Sequence, residues 1–464
     1  MRVALCATEA VPFAKTGGLA DVCGALPLEL EALGQEVILV VPKYPSVKAG
    51  GLLLKPLDQD FDSTVMGDRI QVYFLKHEMY LRQGLYGDRF GDYPDNLRRF
   101  AYFCAKTLEL FKKINFKPDI VHCHDWQTAL LPIYLKKEAS LKAPKSLLTI
   151  HNISYQGLFP KDQMPQTGLG WEYFSLSGLE YYDKINLLKG GIEYADLINT
   201  VSVTHSKEVQ TKEFGYGLEG VLANRKESFF GITNGVDYKI WNPQSDPLVF
   251  KNYSMGDKDG KRANKIRLQE ACGLIKNEKA LLLGFVGRLV EAKGMDLIIK
   301  ILPQMCQQGI PSIFLGVGEA RYEKALAELT KKFPGFVFFS SRFDEELAHQ
   351  IYAGCDVFLM PSKFEPCGIG QLIAFKYGTV PVVYKTGGLA DTVVDYAFNT
   401  KKGNGFVFTK YHEAELLLAL KRAQELYAHE KKWHALVEGI MRLNFSWKES
   451  ARKYVELYEK ARHL

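Results

Sequence analysis

The same seven residues, K-T-G-G-L-A-D, occur twice in the chain, at positions 15–21 and again at 385–391. Each copy follows a short apolar run, residues 3–7 in the first case and 380–383 in the second, and each opens an amphipathic stretch. That order is strand, glycine turn, helix. A glycine pair lets backbone approach a ligand closely, and the N–H groups of a helix starting there favour an anion. The repetition therefore constrains the fold to two similar α/β halves. The first copy is the organising element; for the second, a purely structural role is the default reading.

The rest of the first half alternates apolar runs with helical periodicity. Strands are expected at 3–7, 37–41, 72–75, 120–122, 147–150 and 197–201, and helices at 19–33, 96–112, 128–136 and 204–213. Such alternation implies a parallel sheet covered on both faces. Residues 161–183 read as an aromatic loop. I-T-N-G-V-D at 232–237, followed by W-N-P at 241–243, reads as a hinge, and 246–260 reads as polar and exposed. Strands resume at 281–286, 312–315, 337–339, 357–360 and 380–383. A final helix begins at Ser446, with Ser446 and Glu449 as a capping box and Trp447, Ala451, Tyr454, Val455 and Tyr458 on one face. The expected organisation is an N-terminal domain over 1–240, a C-terminal domain over 241–440, and a last helix, 441–464, packing back on the first. Both domains are read as doubly wound, which puts ligands at the carboxyl ends of their strands.

Composition narrows the function class. The 464 residues are 47% hydrophobic and 24% charged, as in an ordinary globular protein, and a net charge of +6 suits anionic ligands without arguing for nucleic acid. No apolar run reaches the length of a membrane span. The amino terminus reads as a first strand, because Glu9 interrupts its apolar run. Eight scattered cysteines without a C-x-x-C pair point to a reducing cytoplasm.

Four constellations carry chemistry. D-V-F-L-M-P-S-K-F-E-P-C-G-I-G at 356–370 is a buried strand, a loop and a helix start, which holds Glu365 at the top of the sheet. G-R-L-V-E-A-K-G at 287–294 puts Arg288 and Lys293 on a tight loop, a fork and a point charge for phosphates. H-C-H-D-W at 122–126 ends a strand: its two histidines share a face, and Asp125 with Trp126 suits sugar hydroxyls and a sugar face. H-N-I-S-Y-Q-G at 151–157 follows the next strand, so His151 either bonds a hydroxyl or caps the strand. Two motifs mislead. G-Y-G-L-E-G at 215–220 matches a dinucleotide fingerprint but follows a helix. D-Q-D-F-D at 58–62 lacks the glycine and terminal Glu of a calcium loop and reads as a turn. No metal or cofactor site is expected.

Taken in order, K-T-G-G-L-A-D, H-D-W, H-N-I-S-Y-Q-G, N-G-V-D, G-R-L…K-G, F-E-P-C-G and the second T-G-G-L-A-D resemble the bacterial glycogen synthases and their starch synthase kin, over nearly the whole chain. The resemblance implies a GT-B fold, two Rossmann-like domains facing across a cleft. It implies transfer of glucose from ADP-glucose, with UDP-glucose as the alternative donor, to the non-reducing 4-OH of glycogen or another α-1,4-glucan, with retained configuration. By this resemblance Lys15, Gly17, Gly18 and Asp21 line the nucleotide-sugar site, and Arg288 and Lys293 neutralise the diphosphate. Glu365 is the essential acid near the donor glucose, with Cys367 and Gly368 as a backbone cradle beside it. His151 meets the glucose 6-OH, Asp125 and Trp126 lie near the reacting centre, and Asn234 is a hinge-side sugar contact. Tyr86 and Tyr93 stand on the acceptor side, and Phe343 stacks on the base. Front-face attack assisted by the leaving phosphate, not a Glu365 nucleophile, is the implied route to retention. Departures are I-G-Q after P-C-G, Gln127, Ser154, Ala292, and Ile373 where a broader E-x7-E pattern has an acid. A small-acceptor transferase, a glucan-binding protein without turnover, and a nicotinamide dehydrogenase remain as competing readings.

Overall fold

The fully apolar runs form the interior strands of two parallel sheets, one in each of two units. The structure, a computed structural model, describes residues 1–48, 53–137, 144–400 and 402–464. One unit is Met1–Asn234 with Trp447–Leu464; the other is Gly235–Ser446.

The sheet of the first unit has nine strands, in the order Phe229–Gly231, Leu197–Thr200, Lys145–Ile150, Ile120–His124, Arg2–Cys6, Glu36–Pro42, Ile70–Leu75, Phe61–Met66 and Lys55–Pro56. The first seven run parallel, and the last two add antiparallel at the edge. Val3, Ala4, Leu5, Val121 and Leu148 are wholly buried. Such burial on both faces is why these strands read as continuous apolar runs. Arg2–Cys6 is the point where the strand order reverses, with Glu36–Pro42 on one side and Ile120–His124 on the other. Ligand sites of open α/β sheets lie beyond the carboxyl ends of strands at such a point.

Several expectations for this unit are corrected. The antiparallel strand Phe61–Met66, next to the sheet edge, was not foreseen, because Asp62, Ser63 and Thr64 break up its apolar residues. The stretch read as a loop contains 3-10 turns at Lys161–Thr167 and Trp171–Tyr173. The helix expected to reach residue 213 is only Val203–Glu208. The Thr211 hydroxyl donates to the Glu208 carbonyl at 2.6 Å, closing a turn at its end. The acidic string at 58–62 is engaged by lysines: Asp62 pairs with Lys43 and Lys76, Asp60 with Lys106, and Asp58 with Lys113.

The six strands of the second unit are all parallel: Val337–Ser340, Ser312–Leu315, Leu283–Val286, Val357–Met360, Val380–Tyr384 and Phe406–Phe408. Here Leu283–Val286, between Ser312–Leu315 and Val357–Met360, is the switch point. Asp246 is corrected from exposed to buried, at 1% exposure. Its carboxylate accepts from His349 Nδ1 at 2.7 Å, Tyr377 Oη at 2.5 Å and the Leu248 N–H at 2.9 Å, which compensates its desolvation.

The helix Trp447–Arg462 packs in the first unit, against helix Gly18–Ala32 and strands Ile120–His124 and Lys145–Ile150. Leu457 is buried on its inner face, whereas Val455 is only half-buried. The capping box does not form: the Ser446 N–H donates to Asn444 Oδ1 at 3.0 Å, and Glu449 pairs with Arg452. Residues 235–240 and 441–446 go with the second unit, not with the first domain and the last helix as expected. They are joined there by the Val236 N–H to the Phe445 carbonyl at 2.7 Å and the Phe445 N–H to Tyr238 Oη at 2.9 Å.

Candidate functional site

In the first unit, the loop after Arg2–Cys6 turns on a residue the sequence reading passed over. Glu9 is 3% exposed. Its carboxylate accepts from the Thr16 N–H, the Thr16 hydroxyl at 2.6 Å, the Gly17 N–H at 3.3 Å and the Tyr86 hydroxyl at 2.6 Å. One buried acid thus fixes the first glycine turn and brings Tyr86 to it. Burial and the Glu9 charge push the Tyr86 phenol well up, so it stays protonated. The only sequence signal for Glu9 was an acid interrupting an apolar run. Lys15 and Asp21 lie on the exposed side of the turn and pair with each other at 2.6 Å. Gly17 and Gly18 are exposed, and a Cβ at either would meet nothing within 4 Å. The turn therefore keeps open space in front of its backbone.

Asp125 follows the strand Ile120–His124 with φ 58° and ψ −174°, a conformation a non-glycine residue rarely adopts. This geometry turns its carboxylate back to accept the His151 N–H at 2.7 Å. Burial raises the Asp125 carboxyl to about 7, against the opposing pull of the His151 and Asn152 backbone N–H groups. His151 is half-buried, and burial lowers its imidazole to about 3, so it is neutral. Trp126 lies packed among other aromatic rings. It is 8% exposed, edge-on to Phe100 at 5.2 Å and against Phe159 at 5.9 Å. Gly157 (φ +65°) crosses its ring so closely that a Cβ there would overlap it. Tyr93 is held by the Arg82 and Arg99 guanidiniums, at 4.6 and 5.2 Å from its ring centre, and its N–H donates to the Tyr86 carbonyl. Asn234 is buried, and its Oδ1 has no hydrogen-bond partner among the described residues.

In the second unit, the loops after the two strands at the switch point are knitted together. The Lys363 N–H donates to the Ala292 carbonyl at 3.0 Å. Gly294 (φ +79°) lies so close to Pro361 that a Cβ would overlap its carbonyl. Glu365 is 6% exposed, and its Oε2 accepts from Lys293 Nζ at 2.5 Å and from the Ser362 hydroxyl at 2.9 Å. Oε1 has no hydrogen-bond partner among the described residues. Arg288 is exposed and makes no side-chain hydrogen bond or ion pair among the described residues. Gly368 takes the left-handed conformation at φ +72°, and Gln371 Nε2 ties the loop by donating to the Cys367 and Gly368 carbonyls at 3.2 and 2.8 Å. Phe343 is 87% exposed on a separate loop.

The second K-T-G-G-L-A-D copy serves this loop. The Gly388 N–H donates to the Glu365 and Pro366 carbonyls, each at 3.1 Å. A Cβ on Gly387 would overlap the Glu365 carbonyl, and one on Gly388 the Cys367 carbonyl. The same heptad thus leaves open space in the first unit and packs backbone against backbone in the second.

The second unit provides an exposed guanidinium and a lysine–glutamate pair at strand ends, and the first unit by itself provides an open glycine turn at a strand end; each feature suits an anionic or hydroxylated ligand. Comparison with known proteins agrees. The starch synthase catalytic domain family matches residues 2–224, and the group 1 glycosyl transferases match 271–439. The chain is 45% identical to the glycogen synthase of Geotalea daltonii, over 99% of this chain and 98% of that one. It is 44% identical to that of Syntrophotalea carbinolica, over 100% and 99%. The catalytic domain of starch synthase IV from Arabidopsis thaliana, solved bound to ADP and acarbose, superposes with a TM-score of 0.91 at 34% identity, over 100% of this chain and 99% of that one. A sucrose-phosphate synthase from Thermosynechococcus elongatus shares the fold, with a TM-score of 0.61 at 17% identity over 99% and 98%. The chain belongs to the glycogen synthase family of GT-B glycosyltransferases.

Proposed function

We propose that this chain transfers glucose from ADP-glucose to the non-reducing 4-OH of an α-1,4-glucan, with retention at the anomeric carbon. The observation that carries the reading is the buried Glu365 carboxylate on a loop knitted to the one that bears Arg288. Lys293 holds one of its oxygens, and the other has no partner among the described residues. Arg288 takes the diphosphate, and Lys293 shares it once the nucleotide arrives. Oε1 of Glu365 accepts a hydroxyl of the donor sugar. Both cations stabilise the charge that builds on the leaving diphosphate, which is the term that most lowers the barrier. Glu365 is not assigned as a nucleophile: its Oε2 is held by Lys293 and Ser362, and in this reading its Oε1 is engaged by the donor hydroxyl.

Lys15, Gly17, Gly18 and Asp21 serve the nucleotide sugar, His151 and Asp125 the glucosyl group, and Tyr86 and Tyr93 the acceptor. Cys367 and Gly368 form the backbone beside Glu365, Asn234 offers its Oδ1 to a sugar hydroxyl, and Phe343 stacks on the adenine. The adenine donor is inferred from the ADP bound to the Arabidopsis relative. Neither a metal ion nor a nucleic acid has a part in this reading. A reducing cytoplasm suits eight cysteines that are all free and buried, and no helix among the described residues is long and apolar enough to cross a membrane.

The test is incorporation of labelled glucose into glycogen from ADP-glucose and UDP-glucose in parallel, with and without a chelator. Faster transfer from the adenine donor, unaffected by the chelator, is expected. Transfer from the uridine donor alone would overturn the donor assignment, and loss on chelation would overturn the metal-free reading.

A further inference from the structure

Behind His151 lies a histidine that no step above uses. His124 is wholly buried, and its ring sits 4.1 Å from that of His122 and 5.3 Å from that of His151, centre to centre. Its Nδ1 is 3.0 Å from His151 Nε2, and its own Nε2 has no hydrogen-bond partner among the described residues. Burial keeps all three imidazoles neutral.

One proton must sit between His124 Nδ1 and His151 Nε2, and the two arrangements differ in what they leave behind. If His151 were the donor, the proton of His124 would sit on Nε2, a buried N–H with no acceptor. If His124 is the donor, only an unprotonated ring nitrogen is left without a partner. Buried orphan donors are the rarer and costlier of the two. His122 offers no escape, because both its nitrogens are engaged. The Thr149 hydroxyl donates to Asn199 Oδ1 at 2.6 Å, so it accepts from His122 Nε2 at 2.6 Å. His122 Nδ1 then accepts from the Tyr458 hydroxyl at 2.8 Å. The direction of that chain is set at its Thr149–Asn199 end.

We propose that His124 is a positioning residue: it donates Nδ1–H to His151 Nε2 and so holds His151 as the Nδ1–H tautomer, a neutral hydrogen-bond donor for a substrate oxygen. A fixed, uncharged N–H orients a hydroxyl without competing with Arg288 and Lys293 for the diphosphate. The identity of that oxygen, a hydroxyl of the donor sugar, rests on the proposed function; the tautomer does not.

The first test is therefore independent of activity. In the full chain labelled with 15N-histidine, long-range 15N–1H correlation spectra are recorded, with His151 assigned by the signals lost in His151→Gln. His151 is expected to show a protonated Nδ1 and a bare Nε2. The reverse pattern overturns the inference, whether or not any variant folds. The second test uses two variants. His124→Phe keeps the ring and removes the donor; His124→Asn restores a donor near the Nδ1 position. His124→Phe is expected to lower kcat/KM for the nucleotide sugar by about tenfold or more, the scale of a misplaced site group, and to mix the His151 tautomers. His124→Asn should recover the single tautomer and all but about threefold of the activity. Equal losses in both variants with the His151 tautomer unchanged would show a packing role only and overturn the inference. A wild-type chain that shows the expected tautomer yet transfers no glucose would refute the assigned reaction and leave the positioning role standing.

Discussion

At the scale of single residues, Glu365 in the second unit and Asp125 in the first differ in environment and hence in what they can do. Glu365 is held in place by a lysine and a hydroxyl. Glu365→Ala is expected to leave the fold intact and reduce turnover at least ~100-fold, the usual loss for one well-placed electrostatic group. Steady-state kinetics beside a thermal melt checks this, and near-wild-type turnover would remove Glu365 from the site. Asp125 has a carboxyl raised to about 7, chiefly by burial. An unfolded Asp titrates near ~3.9, so the folded chain holds more protons between about pH 4 and 7. The Asp125 contribution to stability is therefore full at low pH and is lost as the pH rises through about 7. Asp125→Asn should remove that decline, so that the variant gains on the wild type between about pH 4 and 8 in urea titrations. A gap that stays constant with pH would refute the raised value. The strained backbone at Asp125 and the Glu9 clamp were not legible in the sequence. A positive φ leaves no compositional trace, and Glu9 is recognised only by the distant Tyr86 and the turn it binds.

At the scale of elements, identical sequence yields two different devices. In both copies a strand ends, two glycines follow, and a helix begins, at Gly18–Ala32 and at Gly387–Thr392. The surroundings set the role. Gly17→Ala adds a methyl to open space at an extended φ of −160°. Its stability should stay within ~0.5 kcal/mol of wild type, while the KM for the nucleotide sugar rises. Gly388→Ala drives a methyl into the Cys367 carbonyl. It should lower both stability and kcat by displacing the Glu365 loop, with a loss of ~1–3 kcal/mol, the usual cost of overpacking. Calorimetry with kinetics on the pair separates the two roles, and equal stability losses would contradict the contrast. The last helix is a second example. Its apolar stripe was legible from spacing, but its polar docking was not. Tyr458 meets His122, and Tyr454 accepts from Asn199 Nδ2 at 3.2 Å, across hundreds of residues of chain. Tyr458→Phe leaves His122 Nδ1 unpaired in the core and should cost ~1–2 kcal/mol. A denaturation midpoint equal to wild type would mean the hydroxyl is dispensable.

At the scale of the whole molecule, the parallel sheets were legible because strands buried on both faces must be apolar throughout. The strands of these two sheets that escaped, Lys55–Pro56, Phe61–Met66, Phe229–Gly231 and Phe406–Phe408, are at or next to sheet edges, where that requirement relaxes. The positions of Lys293 and Glu365 on neighbouring loops followed from strand order, whereas the burial of Trp126 under Gly157 depended on how a later loop folds over it. Membership of the glycogen synthase family rests on the full length of the chain, and the transfer reaction is the claim on which the site assignments depend. It is tested most directly by 1H NMR of the first product formed from ADP-glucose and a short maltooligosaccharide. A new α-1,4-linked glucose at the non-reducing end, formed while ADP is released, is the expected result. Free glucose with no extended oligosaccharide, or a β-linked product, would contradict it.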